Sequence, residues 1–189
     1  GVKYPTGANC KDTKEYKAWN RMLERCYSKK TKEKYPTYQN VTCCEEWLLY
    51  ENFYEWLHKQ DNFEKWYSGK RWAVDKDILI KGNKVYNPET CCLVPCNVNC
   101  LFVKSNKLRG NLPIGVKKKW DRYEACCMNP FTGKQEHIGM YDTVEEAFIS
   151  YKKRKEEIIK LIAKDEYAKE NIIKECYEAM MSYEVEIMD

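Results

Sequence analysis

The sequence is poor in histidine and has no long apolar run. Its 189 residues include two histidines, His58 and His137, so chemistry that needs a neutral imidazole has two candidates. No apolar stretch approaches the roughly 20 residues that a membrane-crossing helix requires. The opening segment GVKYPTGANCKDTKEY has no apolar signal-peptide core. There is no low-complexity tract, no solenoid repeat and no pair of cysteines at zinc-knuckle spacing. These gaps argue against a helical membrane protein and a repeat array. They lead us to expect a soluble, cytoplasmic chain.

What is present is charge, aromatic side chains and thiols. Hydrophobic residues make up 43% and charged residues 33%, as in a folded globular protein. The length suits one medium domain or two to three small ones. The eleven cysteines include three adjacent pairs, Cys43–Cys44, Cys91–Cys92 and Cys126–Cys127. Neighbours on a strand point to opposite faces, so such pairs do not bond to each other. Reduced thiols fit better than a secreted disulfide framework. The net charge of +4 is unevenly spread. Lys104, Lys107, Arg109, Lys117, Lys118 and Lys119 form a run with no acid between them. From Lys164 to Asp189, three lysines face eight acids. The run suits a polyanion and the tail repels one.

Apolar periodicity predicts a helix over about 13–28, opened by Asp12 and Glu15 in capping-box spacing. SKKTKEKYPTYQNVTCC reads as a polar loop ending in an extended piece, and a second helix follows over about 45–60. WAVDKDILI and TCCLVP read as short strands, and CNVNCLFVKSNK begins a helix, giving a β-β-α unit. KLRGNLPIG marks a boundary. After it, IGVKKKW, RYEACCMN and KQEHIGMY read as three strands, with NPFTGK as the turn between the last two. Thr143 and Glu146 then open a helix by capping-box spacing, and a last amphipathic helix spans about 167–181. The expected class is α+β. Its parts are a helical N-terminal region (1–71), a β-β-α unit (72–108), a three-stranded antiparallel sheet packed on a helix (109–163), and an acidic terminal helix and tail (164–189).

GVKKKWDRYEA followed by IGMYDTVEEAFISY resembles the ethylene-response-factor (APETALA-type) DNA-binding domain, over about 113–160. In that family the exposed sheet face lies in the major groove. The resemblance therefore implies contact positions at Lys117, Lys119 and Trp120, at Cys126 and Met128, and at Gln135 and His137, with Lys118 and Arg122 beside them. Lys104, Lys107 and Arg109 extend the basic surface. The family's guanidinium forks are mostly replaced by lysine here, which shifts the expected contact from bidentate guanine reading toward phosphate neutralisation.

The arrangement from about 14 to 189 resembles phage-encoded proteins of the HNH (His-Me finger) endonuclease-like group. The matching pieces are YKAWNRMLERCY, YPTYQNVTCCEEW, NFYEWL, DKDILIKGNKVYNPETCCLVP and NVNCLF. The resemblance implies a divalent-metal site, such as Mg²⁺, at Asp75 and Asn99. It puts Lys76, between Asp75 and Asp77, where the water-activating histidine belongs. A lysine is charged at neutral pH unless its surroundings depress it by several units, so ordinary hydrolysis is not expected. Separately, Cys44, Cys92, Cys96 and Cys100 are candidate ligands for one Zn²⁺.

Three functions stay open on this basis. One is a phage or prophage protein binding double-stranded DNA on a degenerate nuclease-like scaffold. Another is an anti-defence inhibitor, of anti-CRISPR type, binding a host nucleic-acid enzyme. The third is a metal-dependent DNA nickase using Asp75, Asp77, Asn83 and Asn99. All three place the chain in a host cytoplasm, away from membranes.

Overall fold

The first helix, α1 (Lys14–Tyr27), buries Met22 and Cys26, one turn apart on a single face. Its N-cap is Thr13, whose hydroxyl accepts the Tyr16 N–H at 3.2 Å. The capping box expected at Asp12 is not used, because Asp12 closes a 3-10 turn, Ala8–Asp12. These are the first residues described by the computed structural model, which covers residues 8–103 and 111–187.

The segment read as a polar loop is partly helical. Ser28 is extended and ends α1, and its hydroxyl caps a second helix, α2 (Lys29–Lys34), through the Thr31 N–H. The helix expected over 45–60 is broken. A 3-10 turn, Glu45–Leu48, leads through extended Leu49 into α3 (Tyr50–His58). The break has a packing reason. In one continuous helix Trp47 and Phe53, six residues apart, would point to different sides. Here both rings meet at 5.1 Å, and Trp47 also meets Trp56 at 4.7 Å. A further helix, α4 (Phe63–Ser68), places Phe63 and Trp66 in the same core.

Two small sheets complete this region. β1 (Thr42–Cys43) pairs in parallel with β3 (Val85–Tyr86). Between these in sequence lies β2 (Trp72–Asp75), antiparallel to β4 (Cys92–Pro95). α5 (Cys96–Cys100) follows β4 directly. The core is aromatic and sulfur-rich: Met22, Cys26, Val41, Trp47, Phe53, Trp56, Leu57, Phe63, Trp66, Tyr86, Cys91 and Leu93.

The C-terminal sheet matches the expected strands closely. β5 (Val116–Lys119), β6 (Arg122–Asn129) and β7 (Lys134–Tyr141) form an antiparallel sheet in that order. α6 (Val144–Ala168) begins with the expected capping box at Thr143 and Glu146. It buries Phe148, Tyr151, Ile158, Ile159 and Ile162, and it packs on all three strands. Gly115, with φ +78°, must be glycine. An added Cβ there would lie 2.0 Å from the Tyr151 ring.

The terminal helix expected over 167–181 is two pieces. α6 runs on to Ala168, Glu170 adopts a left-handed φ of +54°, and α7 covers Lys174–Met181. The chain divides into two compact units where four segments were expected. One is Gly1–Cys96 with Glu170–Cys176, and the other is Asn97–Lys169 with Tyr177–Asp189. The first takes in the stretch before α7: Asn62 Nδ2 donates to Asn171 O at 2.9 Å, and the thiols of Cys92 and Cys176 hydrogen-bond. Among the described residues no helix is long and apolar enough to cross a membrane.

Candidate nucleic-acid interface

Two places carry the residues singled out above. The first is the turn after β2. Asp75 is buried, and its Oδ1 accepts the N–H groups of Asp77 and Ile78, each at 2.9 Å. This bond set ends the strand at Asp75, five residues earlier than the apolar run WAVDKDILI suggests. Burial, then the neighbouring Asp77 carboxylate, pushes the Asp75 carboxyl up to about 6. Lys76 is also buried, with Nζ 3.3 Å from Asp77 Oδ2, 3.2 Å from Asn83 O and 5.8 Å from the Tyr86 ring centre. Asn83 spends its amide on the chain: Nδ2 donates to Lys76 O, Val85 O and Thr90 Oγ1, and Oδ1 accepts Val85 N–H. Asp75, Lys76, Asp77 and Asn83 thus work as one turn-holding network.

Asn99 is half-buried on α5 and belongs to the second unit, whereas Asp75 belongs to the first. Among the described residues no group of three or more His, Cys, Asp and Glu side chains is gathered to hold a metal. The four-cysteine zinc site is therefore not assembled. Cys92 turns into the core toward Cys176, Cys44 and Cys96 are half-buried, and Cys100 is exposed. All eleven cysteines are free thiols, six of them buried. Burial pushes the Cys26 thiol up to about 12 and raises Cys91 and Cys127.

The second place is the sheet face turned away from α6. Strand alternation and the observed register put Lys117, Lys119, Arg122, Glu124, Cys126, Met128, Gln135, His137 and Met140 on it. The residues are linked across strands. Lys117 Nζ donates to Gln135 Oε1 at 3.1 Å, and Gln135 Nε2 donates to Cys126 Sγ at 3.2 Å. Lys119 Nζ and His137 Nδ1 converge on Glu124 Oε1 at 2.8 and 2.9 Å. The bond from Lys119, helped by His137 and opposed by partial burial, holds the Glu124 carboxyl below its usual range. Arg122 Nε donates to Asp142 Oδ1 at 2.7 Å. Lys118 is exposed but projects to the opposite side, across from Tyr123.

Two features of this face differ from expectation. Cys126 is 5% exposed, because a bulge between Ala125 and Cys126 and the overlying Gln135 cover it. Met128, at 54%, is exposed instead. Glu124 was not anticipated. Alternation from Cys126 and Met128 places it on their face, so the signal was available. Trp120 stands in the two-residue turn between β5 and β6 with φ +52° and is 88% exposed. A bulky residue is rare in that conformation, which glycine normally fills. The expected contacts Lys104, Lys107 and Arg109 lie outside the described residues.

Comparison with family models, curated proteins and solved structures returned no match.

Proposed function

We propose that the chain binds double-stranded DNA through the outer face of β5–β7, on a scaffold that resembles an HNH nuclease but performs no ordinary hydrolysis. The observation that carries this reading is the shared exposure of Lys117, Lys119, Trp120, Arg122, Gln135 and His137 along one sheet face and its hairpin tip. A sheet enters the major groove with every second side chain toward the bases. Lysine and arginine neutralise phosphates, glutamine and histidine reach base edges, and an accessible indole packs on sugar or base. Glu124 orients Lys119 and His137 in the free protein and offers an acceptor to the amino group of cytosine.

The turn after β2 supports the non-hydrolytic half of the reading. Asp75 Oδ1 already accepts two backbone N–H groups, the Asn83 amide is bonded to the chain around it, and an amine stands at the base position.

The test is fluorescence anisotropy with a mixed-sequence duplex over a salt series. Changing Lys117 and Lys119 together to alanine should lower the slope of log affinity against log salt by about 1.8, or 0.9 for each phosphate contact. An unchanged slope removes this face from the account. In parallel, supercoiled plasmid with Mg²⁺ or Mn²⁺ should stay uncut. Nicking that disappears in Asp75→Asn restores the nickase reading.

A further inference from the structure

A second charged surface lies in the first unit, and the sheet reading does not absorb it. α2 carries Lys29, Lys30, Lys32 and Lys34 against a single acid, Glu33. Lys32 Nζ donates to Gln39 O at 3.0 Å, and Gln39 Nε2 donates back to Lys32 O at 3.3 Å. These bonds fasten α2 to the chain leading into β1. On the other side of that chain, Thr42 N–H donates to Lys84 O at 3.0 Å, which adds the turn of residues 81–84, with Lys81 and Lys84. Both basic segments therefore flank the one stretch from Tyr38 to Cys43.

The turn is built to project. Gly82 has φ +81° with nothing within 4 Å of a would-be Cβ. The Asn83 amide locks the turn's base to Lys76, Val85 and Thr90. This gives the buried network after β2 a purpose other than hydrolysis, since it presents two lysines on a rigid loop.

Aromatic rings stand beside α2 and the stretch that follows it. Tyr27 and Tyr35 are 54% and 48% exposed. Tyr35 meets Tyr38 edge-on at 6.1 Å, and Lys34 Nζ lies 5.2 Å from the Tyr35 ring. Lys29, Lys30, Lys34 and Lys84 have no carboxylate partner among the described residues. Lysine alone would suit any polyanion. Lysines interleaved with accessible tyrosine rings suit one whose bases are free to stack, because phosphates take the charge and each base offers a π-face.

We infer that the surface formed by α2, the Pro36–Tyr38 turn and the 81–84 turn binds single-stranded nucleic acid. This holds whether or not the sheet binds duplex.

The test uses the intact protein and a fluorescein-labelled oligothymidylate of about 20 nucleotides, longer than a typical site. Changing Lys29, Lys30, Lys34 and Lys84 together to glutamine should lower the log–log salt slope by about 2.8, or 0.7 for each contact on a single strand. Tyr35→Leu should weaken binding about tenfold, and Tyr35→Phe should leave it nearly unchanged, because the stacking face survives. An unchanged slope in the glutamine variant overturns the inference. So does wild-type affinity in a folded Tyr35→Leu protein. Competition by polyglutamate as strong as by oligothymidylate of equal charge would reassign the surface to acidic polypeptides.

Discussion

Asp75 is the residue whose role changes most between sequence and structure. As a metal ligand its charge would be essential. As the cap of the turn after β2 only its acceptor oxygen matters. The raised pKa gives this a pH signature. A folded-state value near 6, against 3.8 for an ordinary aspartate, means that the native protein holds the proton more tightly than the unfolded chain. The favourable contribution is therefore complete below about 3.8 and is lost as pH rises through about 6. Asparagine keeps the acceptor and removes the charge. Asp75→Asn should thus raise stability at pH 8, by on the order of 3 kcal/mol at most, with little effect at pH 4. Urea unfolding at both values checks this. A uniform loss at both would show that the charge itself is needed. Trp120 makes the opposite trade. Its left-handed φ is worth about 1 kcal/mol to relieve, so Trp120→Gly should stabilise the fold and weaken duplex binding. A variant that gains stability without losing affinity would show that the indole has no part in binding.

Among the elements, the sheet and α6 were legible for physical reasons. Alternation, a glycine in the β6–β7 turn and a capping box are local signals, and the C-terminal unit shows them, although Trp120 rather than glycine fills the β5–β6 turn and a bulge interrupts the alternation at Ala125 and Cys126. α2 and α4 were not legible. The first has no apolar stripe at all and rests on the Ser28 cap. The second is six residues long, too short for periodicity to show. The break at Leu49 is a tertiary effect, forced by where Trp47 must sit to meet Phe53 and Trp56. The end of α6 falls between these cases. Glu170 occupies the left-handed position that glycine usually takes after a helix, and nothing in its chemistry announces that. Its ion pair with Lys65, 3.4 Å long and exposed, adds little. Glu170→Gly should therefore raise the melting temperature, with a gain of about 1 kcal/mol. A drop would mean that the Lys65 contact outweighs the backbone strain.

For the whole molecule, the candidate sites divide by how they are built. The outward positions of β5–β7 follow from alternation, so most of that face was readable in the sequence. The surface around α2 was not, because Lys84 joins it only through the β1–β3 pairing, across some forty residues of chain. The thiols show the same split. In the native protein Cys10, Cys43, Cys44, Cys96 and Cys100 should react with a small alkylating agent, and the six buried thiols should react only on unfolding. Fast labelling of Cys26 or Cys91 would contradict the packing described. The central claim, that β5–β7 docks on duplex DNA, is tested most directly by titrating a mixed-sequence duplex into ¹⁵N-labelled protein. The account predicts that the amide signals of Lys117, Lys119, Trp120, Arg122, Glu124, Gln135 and His137 move together and saturably, more weakly as salt rises. Signals that stay still on these strands while others shift would contradict it.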